Sequence, residues 1–261
     1  MRVALGIEYD GSSYCGWQYQ EGVATVQNAV EVALSKIANS PIRVITAGRT
    51  DTGVHATGQV VHFETDVIRS DYSWTRGTSR YLAENVTILW AKHVRDDFHA
   101  RFSAIERRYQ CIILNRHERP AILNKKVSWE YRPLDVSLMQ KAAKHLLGRH
   151  NFNAYRALAC QAKSPVRDLR ELSVVRMGNF IVINARADGF LHHMIRNIAG
   201  VLCSIGAGEK ALDWSAEVLA SEDRTCGGVT ASPDGLYLNA IIYPEEFSIP
   251  SVQNTTGIFG L

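Results

Sequence analysis

Residues 42–65 read IRVITAGRTDTGVHATGQVVHFET. Two apolar runs, 42–47 and 58–65, are rich in β-branched side chains and are predicted to form neighbouring strands. The loop between them, 48–57, contains two glycines. Glycines let the backbone turn tightly and let a ligand approach closely. The segment therefore predicts a strand–loop–strand unit within a sheet.

The same loop contains a charged pair, Arg49 and Asp51. An Arg two residues from an Asp helps to keep the carboxylate ionised in a sheltered site. An ionised, partly desolvated carboxylate can serve as a nucleophile or a base. The alternative is a polar turn in which Asp51 caps nearby backbone amides. These residues alone leave both interpretations open.

Strands and helices alternate on either side of this loop. Upstream, 2–9 is predicted as a strand and 25–38 as a helix; downstream, 71–83 is predicted as a weaker helix and 86–94 as a strand. In the second half we predict strands at 107–114, 127–132, 169–177, 179–187 and 236–243, and helices at 135–147, 190–205 and 212–220. This order predicts an α+β protein of two related halves, joined near 96–106.

The composition is that of a folded globular chain. Of its 261 residues, 46% are hydrophobic and 21% charged, which excludes bulk disorder, collagen and coiled coil.

The net charge of +3 is the sum of an uneven distribution of charge along the chain. Residues 92–176 carry 18 Lys/Arg against eight Asp/Glu, whereas 209–261 carry two against eight. A basic middle third predicts a polyanion binder, although a solvated charged face would give the same pattern.

The cysteines and the hydropathy of the chain indicate the cellular compartment in which the protein works. The five cysteines are scattered and form no CxxC pair, which is typical of reduced thiols in a cytoplasmic protein. The N-terminal apolar stretch is too short for a signal peptide. No apolar run approaches the ~20 residues of a membrane helix. We therefore expect a cytoplasmic protein that does not enter a membrane.

The loop motif GRTDTGVHA resembles the GRTDAGVHA signature of the TruA-type tRNA pseudouridine synthases. Other segments resemble the same family, in the same order, along 2–247. They are Tyr9-Asp10-Gly11, 16–20, 58–63, 98–101, Arg107-Arg108-Tyr109, Cys160-Gln161, Ser164-Pro165, 190–197 and 235–238. The resemblance implies the pseudouridine synthase fold. In that fold two related RRM-like α+β halves form a continuous, mostly antiparallel sheet flanked by helices, with a basic cleft between the halves.

On this basis we expect three regions. Residues 1–100 would form the N-terminal half with the catalytic loop, 101–248 the C-terminal half, and 249–261 a tail.

The resemblance also implies an activity. The enzyme would isomerise uridine to pseudouridine at positions 38, 39 and 40, in the anticodon stem-loop of tRNA. The C1′–N1 bond breaks, the uracil turns, and a C1′–C5 bond forms. Nothing is added or removed, so no cofactor is required. The base must first leave its stack. The family is homodimeric, which implies a second copy of the chain as a partner.

Site roles follow from matching the family's motifs. Asp51 matches the catalytic aspartate, the nucleophile, and Arg49 lies in the same signature. Tyr109 matches the active-site tyrosine, whose ring can stack on the uracil. Arg196 resembles the basic partner of the catalytic aspartate, on a helix that we expect to begin at Phe190. The expected phosphate contacts are Arg101, Arg107 and Arg108.

We expect no metal site. His192 and His193 are adjacent, but neighbouring residues on a helix diverge by about 100°, and the sequence has no HExxH motif or Cys cluster. His192 and Arg196 would share one helix face. Four positions depart from the family pattern, and their effect is open: Thr52, Ser79, Ala83 and Cys111.

Two other classes compete with this interpretation. One is a non-catalytic RNA-binding module built on RRM-like repeats, which would not need the set of Asp51, Arg49 and Tyr109. The other is a sugar-cleaving hydrolase, which would need a second catalytic carboxylate as its acid. No motif supplies that second carboxylate.

Overall fold

The structure, a computed structural model, describes residues 1–250 and Gly260. By its internal contacts the chain forms two compact units. The first comprises Met1–Glu106 and continues from Tyr237; the second is Arg107–Leu236. These units differ from the predicted halves in including the last strand with the first unit. The division at residue 100 stays a prediction, and most of the predicted tail, 249–261, lies outside the described residues.

Ten strands and four α-helices are the main regular elements of the described residues. The strands are β1 (Arg2–Tyr9), β2 (Ile45–Thr46), β3 (His55–Glu64), β4 (Val86–Val94), β5 (Glu106–Asn115), β6 (Ser128–Glu130), β7 (Gly148–Asn151), β8 (Val166–Met177), β9 (Phe180–Ala187) and β10 (Leu236–Ile242). The helices are α1 (Val26–Ala38), α2 (Val136–Lys144), α3 (Met194–Gly206) and α4 (Trp214–Ser221). The α+β class predicted from the sequence is confirmed.

In the first unit β1 lies between β3 and β4 and is antiparallel to both. Leu5 is opposite Val61 on β3 and Ala91 on β4. β10 extends this sheet by pairing in parallel with β3. The apolar side chains of β1 are buried on both faces, which is typical of a central strand that is covered on both sides.

Helix α1 confirms the prediction for 25–38. The Oγ1 of Thr25 accepts a hydrogen bond from the backbone N–H of Asn28, which satisfies one of the unpaired amides at the helix start. The helix ends at Asn39, whose backbone is left-handed. The predicted helix at 71–83 is shorter, covering 71–79 with a π turn at Ser73–Gly77. A Cβ atom at Gly77 would lie 3.2 Å from Ile37, so this glycine permits close packing on α1 and weakens its own helix.

In the second unit the strands run in the order β5-β9-β8-β7, all antiparallel to their neighbours, and β6 pairs in parallel with β5. The strands predicted at 169–177 and 179–187 form an antiparallel hairpin through Gly178, which has a φ of +60°. Helix α2 begins after Asp135, whose carboxylate accepts from the N–H groups of Ser137 and Leu138.

The prediction for 190–205 is wrong at its start, because α3 begins at Met194. His193 has a φ of +62°, and a left-handed residue cannot continue an α-helix. His192 therefore lies outside α3 and does not share a helix face with Arg196. The helical argument against a His192–His193 metal pair also fails, since the two rings lie 4.1 Å apart between centroids.

Among the described residues, none of the helices has the length and apolar character needed to cross a membrane.

Candidate active site

The loop between β2 and β3 is held by buried side chains of two strands. The hydroxyl of Tyr9, at the end of β1, lies 2.8 Å from the Oγ1 of Thr50. The amide of Gln59, on β3, donates to the carbonyl oxygen of Gly48 at 2.7 Å and to the Tyr9 hydroxyl at 3.4 Å. Tyr9 and Gln59 are both buried. This network fixes the backbone immediately before Asp51.

Backbone hydrogen bonds hold the same loop from another direction. The N–H of Trp17 donates to the carbonyl of Thr50 at 3.0 Å, and the N–H of Gly53 donates to the carbonyl of Tyr14 at 3.4 Å. Within the loop, the N–H of Val54 donates to the carbonyl of Asp51 at 3.1 Å. The segment around Trp17 therefore holds the loop in place through backbone hydrogen bonds.

Two glycines make this close approach possible. A Cβ atom at Gly11 would lie 1.9 Å from the carbonyl oxygen of Val54, and one at Gly16 would lie 2.8 Å from that of Thr50. Gly16 also has a φ of +81°, a conformation that side chains disfavour. No larger residue fits at either position without moving the loop.

His55 stabilises the point where the loop enters β3. Its Nδ1 lies 3.0 Å from the carboxylate of Asp10 and 3.1 Å from the N–H of Gly11. Its ring stacks on Tyr237 of β10, with 4.6 Å between centroids. The side chain thus joins the segment after β1 to β3 and β10, at the end of the loop that carries Asp51.

The side chains of this loop differ in how far they are buried. Burial raises the pKa of Tyr9 to about 12, so its hydroxyl keeps its proton at neutral pH and can donate to Thr50. Thr50 is buried, Asp51 is half-buried, and Arg49 and Thr52 are exposed. The fold therefore fixes the backbone around Asp51 and leaves its side chain half-buried.

Strand β5 of the second unit carries three predicted site residues in succession, Arg107, Arg108 and Tyr109. All three are half-buried. The Tyr109 ring meets Phe190 edge to face, 5.1 Å between centroids. The Nη1 of Arg107 donates to the carbonyl of Asp188 at 2.8 Å. Neighbouring chain segments thus fix the orientation of Tyr109 and Arg107.

The two remaining predicted residues lie elsewhere. Arg196 is in the first turn of α3, where its Nε donates to the carbonyl of Ala231 at 2.8 Å. The N–H of Ala231 returns a bond to the carbonyl of Arg196 at 3.1 Å. Arg101 belongs to the first unit and is exposed, with its guanidinium 5.5 Å from the centre of the Phe102 ring.

The sequence does not predict the positioning roles of Tyr9, Thr50 and Gln59. One available signal was Gln59 itself, a polar residue within the apolar run GQVVHF. A buried polar side chain requires a hydrogen-bonding partner, but the sequence does not show that the partner is the loop that carries Asp51.

The structure shows the surroundings of three of the four residues that depart from the family pattern. Thr52 is exposed, so its extra methyl and hydroxyl need no space in the core. The Oγ of Ser79 accepts from the N–H of Ile88 at 3.3 Å. Cys111 is buried on β5, and burial raises the pKa of its thiol to about 12, which leaves it unreactive at neutral pH.

Comparisons with known proteins agree with this description. A sequence profile of the tRNA pseudouridine synthase family matches residues 6–103 and 142–244. The chain is 54% identical to tRNA pseudouridine synthase A of Nitrosococcus oceani, over 99% of this chain and all of the relative. It is 52% identical to the protein of that name from Shewanella denitrificans, over 97% of each chain, and 51% identical to that of Coxiella burnetii, over 95% of each.

One solved structure, a Cbf5–Nop10–Gar1 complex, contains a chain with a TM-score of 0.35 and 10% identity to this one. The match covers 89% of this chain and 47% of that chain. This likeness is too weak to carry an argument.

These matches extend along nearly the whole chain, and they assign it to the class of RNA-modifying isomerases. More narrowly, the chain belongs to the tRNA pseudouridine synthase family. It converts uridine in tRNA into pseudouridine. The alternatives of a non-catalytic RNA-binding module and of a sugar-cleaving hydrolase are therefore wrong.

Proposed function

We propose that the enzyme modifies positions 38, 39 and 40 in the anticodon stem-loop of tRNA, with Asp51 as the nucleophile. The observation that carries this proposal is the Asp51 loop itself. Its GRTDTGVHA motif is held by hydrogen bonds from the buried side chains of two strands, and Asp51 within it is half-buried.

A carboxylate suits both chemical routes open to this reaction. It can attack the sugar C1′ or stabilise positive charge there, as the carboxylates of glycosidases do, or it can add to the uracil ring. In either case the C1′–N1 bond breaks, a C1′–C5 bond forms, C5 loses a proton and N1 gains one. The atoms balance without a co-reactant, so the proposed reaction needs no cofactor and no metal.

Other residues supply binding and proton transfer in this proposal. Tyr109 stacks on the uracil, and its hydroxyl serves near C5, where the proton is lost. Arg49 binds phosphate or fills the space that the base leaves. Arg196 is the basic partner of the nucleophile. The bond from Arg196 to Ala231 supports this role by restricting the guanidinium.

Arg101, Arg107 and Arg108 are proposed to contact phosphates. The planar guanidinium suits phosphate oxygens better than an ammonium does. The second unit, which carries Arg107 and Arg108, has 19 Lys/Arg against 12 Asp/Glu. This excess of positive charge favours a polyanionic substrate.

We further propose that the enzyme acts as a homodimer in the cytoplasm, with one anticodon arm shared between the subunits. Sedimentation of the purified protein, with and without tRNA, tests the dimer.

The decisive experiment maps pseudouridine on an unmodified tRNA transcript incubated with the purified protein alone. The expected result is pseudouridine at positions 38 to 40 in tRNAs that carry uridine there. Product confined to another part of the tRNA would contradict the assigned positions. Product that forms only after a factor is added would contradict the proposal that the protein acts alone.

A further inference from the structure

Phe102 is a conspicuously exposed aromatic residue of the first unit, with 74% of its surface accessible. Isolated exposed apolar side chains are common and need no explanation. Phe102 differs from most such side chains because the turn that carries it, 98–103, makes hydrogen bonds both before and after this residue. Its ring is therefore held in place although it faces solvent.

The first half of this turn is anchored in the core. Phe98 is fully buried and packs against Tyr243 and Phe247, at 5.0 and 5.3 Å between ring centroids. The N–H of Ala100 donates to the Nδ1 of His62 at 3.1 Å. The hydroxyl of Tyr243 donates to the carbonyl of Ala100 at 2.7 Å. Backbone and side-chain bonds thus fix the chain two residues before Phe102.

His99 closes the second half of the turn. Its backbone N–H donates to the Oγ of Ser103, and the N–H of Ser103 donates to the carbonyl of His99, both at 2.9 Å. Its Nδ1 accepts the N–H groups of both Arg101 and Phe102 at 3.2 Å. An Nδ1 that accepts hydrogen bonds carries no proton, so the ring is held as one neutral tautomer.

The His99 ring also supports the Phe102 ring directly. The two centroids lie 4.4 Å apart with an angle of 32° between the planes. His99 in turn meets His62 at 4.9 Å, and His62 meets the buried Phe98 at 6.0 Å. Burial lowers the pKa of His62 to about 4 and also lowers that of His99, so the stack is uncharged at neutral pH. A chain of four rings therefore runs from the core to the solvent.

Such a platform fits a nucleobase. Proteins bind unpaired bases by stacking them on exposed aromatic rings, and a ring that is already ordered loses little entropy on binding. Arg101 lies beside Phe102 with its guanidinium 5.5 Å from the ring centre. An aromatic face next to a cation matches a base next to its phosphate.

We propose that Phe102, backed by His99, is a stacking site for an unpaired nucleobase of the RNA substrate. The base is a second one, distinct from the reacting uridine. This inference rests on the proposed function, because it takes the anticodon stem-loop as the RNA that supplies the base.

The test compares Phe102→Leu, which removes the ring, with Phe102→Trp, which keeps a stacking surface. The dissociation constant for an unmodified tRNA is measured over a series of salt concentrations. Phe102→Leu is expected to weaken binding about tenfold with the salt slope unchanged, since no phosphate contact is lost. Phe102→Trp is expected to bind at least as tightly as the wild type. The matched control is Ile122→Ala, at an apolar residue 96% exposed in the second unit, which should leave binding unchanged.

Unchanged affinity in Phe102→Leu would overturn the proposal. A fall in the salt slope of Phe102→Leu would also overturn it, because that fall indicates a lost phosphate contact. A loss of affinity that Phe102→Trp shares would overturn it too, because that loss indicates a disturbed turn. Pseudouridine is mapped in the same samples. If the wild-type protein forms none at positions 38 to 40 while Phe102→Leu still loses affinity and Phe102→Trp does not, the proposed function fails and the stacking site stands.

Discussion

Asp51 depends on residues far from it in the sequence. Thr50, immediately before it, is bonded to Tyr9, which lies 41 residues upstream. Gln59 links the same tyrosine to Gly48. A catalytic group has to be held within a few tenths of an ångström of its productive position. At the scale of single residues, then, the buried hydroxyl and amide orient the loop that carries Asp51, the proposed nucleophile.

The first prediction concerns the carboxylate itself. Asp51→Asn keeps the shape of the side chain but removes the charge and the nucleophile, so no pseudouridine should form on unmodified tRNA. RNA binding, measured by filter retention, should be largely unchanged. Asp66→Asn, an exposed aspartate of the same unit, is the control and should be fully active. Substantial residual activity in Asp51→Asn would remove Asp51 from its assigned role.

The second prediction concerns the hydroxyl of Tyr9. Tyr9→Phe removes the hydroxyl's bonds to Thr50 and Gln59. It should lower kcat about tenfold with little change in KM, and it should lower the free energy of unfolding by about 1–2 kcal/mol. Tyr14→Phe is the control, because it loses a hydroxyl bond outside the loop, to Asn85 at 3.0 Å. It should lose similar stability with nearly normal kcat.

Urea unfolding and steady-state kinetics of the two variants decide the matter. Equal effects on kcat in both would show that Tyr9 contributes only to stability.

At the scale of elements, the end of β1 and the segment that follows it form the support for the β2–β3 loop. Gly11 and Gly16 let this segment approach the loop backbone directly. His55 then joins Asp10 to Tyr237 of β10. The segment after β1, the start of β3 and the strand β10 therefore all contribute to the support of this loop.

The third prediction tests this close approach with two glycines of the same backbone conformation. Gly16 and Gly22 have φ values of +81° and +78°, so Ala at either position costs about 1 kcal/mol in backbone strain. Only at Gly16 does the new Cβ meet the loop, 2.8 Å from the Thr50 carbonyl; at Gly22 nothing lies within 4 Å. Gly16→Ala should therefore reduce kcat at least tenfold, and Gly22→Ala should be nearly normal.

Thermal unfolding midpoints and single-turnover rates of both variants check this expectation. If Gly22→Ala loses as much activity as Gly16→Ala, strain in the segment is responsible, and contact with the loop is not.

At the scale of the whole molecule, charge is divided between the two units. The first unit carries ten Lys/Arg against 14 Asp/Glu, and the second carries 19 against 12. The small net charge of +3 is therefore the sum of an acidic unit with the Asp51 loop and a basic unit with Tyr109. Arg101 is a basic, exposed residue on the acidic unit.

The fourth prediction measures that residue's contribution to RNA binding. Arg101→Ala should weaken tRNA binding and lower the slope of log K against log salt by about one, since one phosphate contact is lost. Arg95→Ala removes the same charge, but Arg95 is paired with Asp97 at 2.6 Å, so its slope should match the wild type. An unchanged slope in Arg101→Ala would reject the phosphate contact.

Most elements could be predicted because their signals are local. Apolar periodicity and turn residues predict helices and strands over a few residues at a time. The start of α3 could not be predicted, since the left-handed backbone of His193 is not encoded in a pattern that distinguishes it from helical residues. The helix at 71–79 is shorter than the predicted 71–83, and the Oγ of its last residue, Ser79, accepts a hydrogen bond from Ile88 of β4, a contact that no local pattern displays.

The sequence by itself determined the α+β class, the order of the elements, the resemblance to the tRNA pseudouridine synthases and Asp51 as the candidate nucleophile. Periodicity, caps and motifs are properties of neighbouring residues, so a single chain displays them. Only the tertiary structure decided that Tyr9, Gly16 and Gln59 hold the Asp51 loop. It alone also showed Phe102 as a rigid exposed ring. These contacts join residues separated by many positions, and burial depends on how the whole unit packs, which no local pattern records.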